Sequence, residues 1–169
     1  MRRRTLPSKP IEPTEKFFIL TIDRLQFAIP IRVVVRVLSP GQPIEWNTES
    51  IPTLDLRHLM SDLTHSPTHS PTHSPTHSST PAPYTLIIAS NPANPTNPWG
   101  LQIPTLPNLL TLPIQAIKEF PDSEVDRPMP HLSDRFITFS TGDLTQTLFL
   151  LNLPQLESLI GLTFYGTKS

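Results

Sequence analysis

The chain has 169 residues, of which 37% are hydrophobic, and its formal net charge is -1. This length suits one compact domain or two small fused barrels, and the near-zero charge gives no general attraction to nucleic acid or to an anionic membrane. The absence of cysteine excludes disulfides, thiolate nucleophiles and cysteine-type zinc sites. The 22 prolines exceed the roughly 5% of average usage and argue against long helices.

Residues 1–16 are predicted to form a flexible N-terminal tail. Three arginines at positions 2 to 4 are followed by polar and proline-rich residues, so we expect no secretory signal peptide. The longest apolar runs are far shorter than the roughly 20 residues that a membrane-spanning helix needs. The sequence therefore predicts a soluble, cytoplasmic protein.

Residues 17–38, FFILTIDRLQFAIPIRVVVRVL, alternate apolar and polar positions in short β-branched and aromatic runs. Breaks at Asp23-Arg24 and at Pro30 predict consecutive strands with a tight first turn. A further strand is predicted within IPTLDLRHLM, residues 51–60. Asp55 ends that strand, and we expect its carboxylate to accept backbone N–H bonds from the short RHLM turn, a structural role and not a catalytic one.

Residues 61–83 form a low-complexity loop in which THSP is repeated three times and followed by THSS. A proline at every fourth position forbids a helix and predicts an extended linker. The four repeat histidines could gather a transition metal. Closing a flexible loop around a metal costs conformational entropy, however, and the repeat contains no carboxylate, so we expect neither a metal site nor a cofactor.

Residues 84–160 repeat the pattern of short apolar runs. Strands are predicted in YTLIIA, WGLQI, LPNLLTLPIQAIKEFP, FITFST and TLFLLNL, with a turn at Gly142-Asp143 and a short PQLESL helix before a C-terminal tail at 161–169. Trp46 and Trp99 lie beside loops rich in asparagine and proline, so either could be partly exposed at a partner surface.

No pattern in the chain predicts an enzyme. The five glycines form no phosphate-binding motif, and no G-x-S-x-G nucleophile turn is present. His58 and His131 stand alone and are predicted to be surface or partly buried residues, not catalytic bases. Nothing in the sequence interleaves aromatic and basic residues as base stacking requires.

The order of these segments resembles the CheW-like domains of bacterial chemotaxis signalling. Pro52, Asp55, Leu56 and Arg57 match the family's VPxxDLR strand end, and Gly100 stands where the family's equivalent strand has a glycine. The resemblance implies an all-β fold of two small SH3-like five-stranded β-barrels around a shared core, with short helical turns. Residues 17–60 would supply the first half and the first barrel. Residues from 84 onward, to about 153, would supply the second barrel.

The resemblance also implies a function. Proteins of this family are non-enzymatic adaptors that couple the cytoplasmic tip of methyl-accepting chemoreceptors to the regulatory domain of a CheA-type histidine kinase, in chemotaxis, phototaxis or surface motility. The residues expected to take part in protein interactions are Val34, Arg36, Asp55, Arg57, Trp99 and Gly100.

Two positions depart from the family pattern. Arg36 stands where the family commonly has an acidic residue, and a reversed charge changes the choice of partner more than the fold. Residues 39–50, SPGQPIEWNTES, replace the family's loop with its N-L-R-G motif and are expected to be too short for both that loop and the start of a strand. An alternative is therefore a degenerate double barrel that has lost kinase coupling and binds another signalling partner. An unrelated small β-barrel enzyme or ligand carrier is a third, weaker alternative.

Overall fold

The structure is a computed structural model that describes residues 12–64, 83–90, 97–120, 132–141 and 144–165. The strands are β1 Thr14–Ile22, β2 Leu25–Pro30, β3 Val34–Leu38, β4 Glu45–Trp46, β5 Glu49–Ser50, β6 Thr53–Asp55, β7 Tyr84–Ile88, β8 Trp99–Ile103, β9 Asn108–Pro113, β10 Ile117–Glu119, β11 Ser133–Thr141 and β12 Leu144–Leu151; the α-helices are α1 Leu56–Thr64 and α2 Leu153–Tyr165. The THSP linker beyond residue 64, His131 and the Gly142-Asp143 turn, all predicted from the sequence, lie outside the described residues.

The opening hairpin confirms the predicted tight turn. Ile22 lies opposite Leu25, and Asp23 adopts a positive φ of 54°, as a two-residue hairpin turn requires. The alternation of β1 gives the hairpin two apolar faces, since successive side chains of a strand point to opposite sides. Phe17 lies in one buried cluster, and Leu20 lies in the other.

Ten of the described strands form two curled sheets, and β4 and β5 form a separate two-stranded sheet. A six-stranded sheet, here called sheet A, has the order β10-β11-β12-β2-β1-β9, and a four-stranded sheet, sheet B, has the order β3-β7-β8-β6. Each of these two sheets contains strands from both 17–60 and 84–153. The predicted division, in which each range forms its own barrel, is therefore wrong. The β1–β2 hairpin pairs with β9 and β12, which come from the later part of the chain, and its second apolar face is buried there against Leu112 and Leu148.

Two clusters of buried side chains hold the sheets. The first, the shared core, joins residues of both sheets to α1 and α2: Leu20, Ile22, Phe27, Ile29, Leu56, Met60, Leu86, Ile88, Trp99, Leu101, Ile103, Leu132, Leu151, Leu156 and Ile160. The second lies within sheet A and consists of Phe17, Ile19, Ala28, Leu112, Ile137, Leu148 and Leu150. Burial of apolar area is the dominant favourable term in folding, so the shared core joins both sheets into one unit.

Several elements extend beyond their predicted boundaries. The α1 helix continues to Thr64 and the α2 helix to Tyr165, whereas the sequence predicted loop from residue 61 and tail from residue 161. Residues 39–50 contain a small hairpin of β4 and β5, so the segment does have room for strands. Asn47 and Thr48 both adopt positive φ values at its turn, which is the geometry of the compact hairpin turns. No helix in the described ranges is both long and apolar enough to span a membrane.

Candidate interaction surfaces

The residues predicted to contact partners all belong to sheet B or to the helix that follows it. Register aligns Arg36, Ile87, Gly100 and Thr53 in one row across the four strands, and Val34, Ile88 and Trp99 in the next row. Three strand spacings separate β3 from β6, which amounts to about 14 Å. The candidate residues therefore form two surfaces, one at each edge of the sheet, with β8 between them.

The first surface is the β3 edge. The Arg36 side chain is exposed, whereas Val34 is half-buried and packs against the shared core. A register shift lies between these two residues, and such a bulge bends a strand and re-aims its side chains. The β3 edge thus presents a cation beside a partly covered apolar side chain.

The second surface is the junction of β6 and α1. Oδ1 of Asp55 accepts hydrogen bonds from the backbone N–H groups of Arg57, at 2.8 Å, and His58, at 3.4 Å. The first N–H groups of a helix have no partner within the helix, and a carboxylate at this position satisfies them. The predicted capping role of Asp55 is confirmed. The Arg57 side chain is exposed immediately after this cap.

Trp99 is an internal residue, because only 3% of it is exposed. Its Nε1 donates a hydrogen bond to Oε1 of Glu157 on α2 at 3.2 Å, and Oγ of Ser90 donates to the same oxygen at 2.6 Å. The expectation of partial exposure is wrong for Trp99, because α2 folds over the indole ring. Trp46 is half-exposed, as predicted.

Gly100 is also buried, and the space around it explains why it has no side chain. A Cβ atom built there would lie 2.9 Å from Cγ2 of Thr85 and 3.0 Å from Cγ2 of Thr53. Threonine methyl groups of the two neighbouring strands therefore fill the space that a side chain at residue 100 would need, and a glycine within a strand often marks such a close approach. Of the residues predicted to take part in protein interactions, Trp99 and Gly100 are therefore buried within sheet B, whereas Arg36, Asp55 and Arg57 are exposed.

Sequence reasoning missed two features of these surfaces. The first is Glu157, which accepts the hydrogen bonds from Trp99 and Ser90. In the sequence it is marked only as a single acidic residue among the apolar residues of the PQLESL helix. The second is a set of exposed large apolar side chains: Leu106, Leu109, Ile114 and Leu144. Three of these lie in or next to β9. Their signal was the unbroken, uncharged run LPNLLTLPI, which the sequence alone does not distinguish from a buried strand.

The described residues hold no group of three or more metal-ligating side chains that could bind a metal ion. Within the same ranges, every buried side-chain nitrogen or oxygen has a hydrogen-bond partner. Unpaired polar groups aimed into a cleft are a common mark of ligand and catalytic sites. The notable features of the described surface are instead exposed cations and apolar side chains on strand edges.

Comparison with known proteins identifies the fold. No protein-family model matches the sequence, and no curated protein matches it either. Among solved structures, the chain is similar to the crystal structure of the scaffolding protein TtCheW from Thermoanaerobacter tengcongensis, with a TM-score of 0.53 and 12% sequence identity over 83% of this chain and 90% of that chain. The chain therefore has a CheW-like fold, and the predicted all-β architecture of two SH3-like barrels around a shared core is confirmed.

Proposed function

We propose that this protein is a non-enzymatic, cytoplasmic adaptor that couples the tips of methyl-accepting chemoreceptors to the regulatory domain of a CheA-type histidine kinase. The observation that carries the proposal is the fold, because the structural similarity extends over 90% of a chain described as a scaffolding protein. Fold alone does not imply function, so the surfaces must supply the remaining support. Their exposed side chains on rigid strand edges suit protein docking.

The β3 edge is the proposed receptor contact. Arg36 projects from a strand held by β7 on one side, and Val34 offers a partly covered apolar contact beside it. A cation at the rim of an interface selects partners by charge complementarity and affects the association rate more than the affinity. We therefore infer that the receptor tip carries an acidic side chain opposite Arg36.

The first experiment tests kinase coupling. The purified chain is titrated in a calorimeter with the regulatory domain of the CheA-type kinase from the same cell, at moderate salt. Saturable one-to-one binding is expected for an adaptor. An absence of binding at high micromolar concentration would contradict the coupling function, although it would leave the fold unaffected.

The second experiment tests the receptor contact through Arg36→Glu. Replacing the cation by an anion should weaken binding of the receptor's cytoplasmic fragment, because two like charges then meet at the rim. Affinity is measured at two salt concentrations, since the charge effect should shrink as salt screens it. The matched control is Arg24→Glu on the exposed β1–β2 turn. Unchanged affinity of the Arg36 variant would remove β3 from the receptor site.

One observation favours the alternative of a double barrel without kinase coupling. Residues 39–50 hold the β4–β5 hairpin in place of the loop whose N-L-R-G motif the CheW-like resemblance implies for assembly. If the kinase titration gives no binding, this hairpin is the region to exchange. If a chain given the family's loop between Leu38 and Ile51 then gains kinase binding, loss of the loop accounts for the loss of coupling. If it still does not bind, other parts of the kinase contact have been lost as well.

A further inference from the structure

Four strands lie at the ends of the two sheets, and β9 differs from the other three. An edge strand exposes unpaired backbone groups, and proteins usually blunt such edges with charges, bulges or short strands. β10 and β6 have three residues each, and β3 has a bulge and carries Arg36. β9 has six residues, NLLTLP, with no charged side chain. Among the described residues, no strand pairs with its outer side.

The register shows which backbone groups of β9 face outward. The N–H of Ile114 bonds to the carbonyl of Pro13 at 3.0 Å, and the residues of an antiparallel pair alternate between bonding to the neighbour and facing away. Positions 108, 110 and 112 therefore bond to β1. Leu109 and Thr111 direct both their N–H and C=O groups to the open side. Within the part of the chain that the structure describes, these two N–H groups have no backbone partner, and they are here called the free donors of β9.

The ends of this open edge are symmetric about Leu110. Pro107 and Pro113 each stand three residues from it and occupy outward positions, where a proline has no N–H to offer. Leu109 and Thr111 stand one residue on either side. An antiparallel partner centred on Leu110 would thus meet both free donors and would end at a proline in both directions.

The exposed apolar side chains follow the same symmetry. Leu106 is 60% exposed and Ile114 is 43% exposed, and each stands four residues from Leu110. Pairing of two copies about this centre brings Leu106 of one copy towards Ile114 of the other, on both sides of the axis. Leu109, which is 54% exposed, comes to lie opposite Thr111 of the second copy, so each leucine gains cover.

We propose that β9 is a dimerisation edge, at which two copies of the chain pair antiparallel about a twofold axis through Leu110. Leu109 of each copy exchanges both backbone hydrogen bonds with Thr111 of the other, and the two Leu110 side chains meet at the axis. A second copy suits this edge because β9 is uncharged, so self-pairing brings no like charges together. Two copies of β3 would instead bring two Arg36 side chains to the interface, which is destabilising.

The first test measures the oligomeric state of the full chain by sedimentation velocity over a wide concentration range. The wild type should shift from monomer to dimer with rising concentration. Leu109→Lys places a charge on the edge, and Thr111→Pro removes an outward donor without touching the bonds to β1, so both variants should lose the dimer. Leu144→Lys is the matched control, because Leu144 is 69% exposed at the far hairpin of sheet A. It should dimerise as the wild type does.

The second test fixes the register with single cysteines, which the natural chain lacks. Leu110→Cys should oxidise to a covalent dimer, because facing residues of such a pair lie within disulfide reach. Leu109→Cys should crosslink far less, since the two copies of that residue are diagonal neighbours roughly 7–8 Å apart. Thermal melting verifies that each variant is folded.

Three results would overturn the proposal. The first is a wild-type chain that stays monomeric at every concentration, and the second is a dimer that survives Leu109→Lys. The third is equal crosslinking at positions 109 and 110. Hydrogen exchange identifies another occupant: protected amides at Leu109 and Thr111 in a monomer would mean that a segment of the same chain covers the edge. None of these outcomes bears on binding to the kinase domain.

Discussion

At the scale of single residues, two positions of sheet B show that contacts with the backbone and with neighbouring side chains determine which amino acid is present. Gly100 has no side chain because Thr85 and Thr53 fill the space where one would lie. Asp55 is exposed, yet its carboxylate holds the first turn of α1. Both residues match the CheW-like pattern, and both have a structural role that explains their identity without a partner.

Gly100→Ala should destabilise the protein by about 1–3 kcal/mol, the usual cost of overpacking a core. The added methyl group would lie 2.9 Å from Cγ2 of Thr85, and a β-branched side chain has little freedom to move away. Urea denaturation measures the change. Gly161→Ala is the control, because nothing lies within 4 Å of a Cβ at that position and alanine favours a helix. Equal stability of the two variants would contradict the packing argument.

Asp55→Ala should cost about 1 kcal/mol of stability, because the N–H groups of Arg57 and His58 lose their acceptor. Asp55→Asn should retain most of the stability, since the asparagine oxygen also caps helices well. Thermal unfolding compares the two variants. If the variants are equally unstable, the charge of Asp55 matters and the cap alone does not explain the residue.

At the scale of elements, α2 closes the shared core. Leu156 and Ile160 insert into it from one side, and Glu157 receives hydrogen bonds from Trp99 and Ser90 at the helix edge. A buried indole N–H without a partner is costly. The hydrogen bonds to Glu157 therefore favour one position of α2 over the two sheets. Apolar packing alone, which has no direction, would define that position less well.

Glu157→Ala should destabilise the protein by about 1–3 kcal/mol, because it leaves the buried Nε1 of Trp99 without an acceptor. Tryptophan fluorescence and urea denaturation follow the change. Glu157→Gln keeps an acceptor oxygen and should stay close to the wild type. Ser158→Ala is a neighbouring control, since the Ser158 hydroxyl donates to the Gln155 carbonyl of its own helix. A stable Glu157→Ala variant would mean that packing alone positions α2.

At the scale of the whole molecule, sheet A and sheet B are each built from strands of both the earlier and the later part of the chain. Sheet A takes β1 and β2 from the first part of the chain and β9 to β12 from the last, while sheet B takes β3 and β6 to β8. In the described ranges, neither sheet A nor sheet B is complete in the part of the chain before the THSP segment or in the part after it. Because the shared core also draws on both parts, folding must be cooperative.

Residues 1–64 and 83–169, expressed as separate fragments, should each lack fixed structure, and mixing them should restore the circular dichroism of the intact chain. The reason is that each sheet needs strands from both fragments. The control replaces residues 65–79 with a short Gly/Ser linker, which should leave the melting temperature nearly unchanged because closure entropy varies slowly with loop length. A fragment that folds on its own would contradict the interleaved topology. A large loss of stability in the linker variant would mean that the repeat packs or binds something.

Much of the local structure could be predicted because its causes are local. The Asp23-Arg24 turn, the strands around it and the cap by Asp55 follow from alternation and from hydrogen bonds between residues close in sequence. The burial of Trp99 could not be predicted, because it depends on a helix 58 residues later in the chain. The unpaired outer edge of β9 could not be predicted either, since a buried and an exposed apolar strand have the same sequence pattern.

The sequence by itself determined the order of the strands other than β4 and β5, the position of the low-complexity insert and the resemblance to CheW-like domains, because alternation, prolines and turn residues act over a few positions. Only the tertiary structure decided which strands share a sheet, which candidate residues are exposed and which edge stays open. The physical reason is that a strand with two apolar faces, such as β1, can pack in several ways. Burial summed over the whole chain selects one of them.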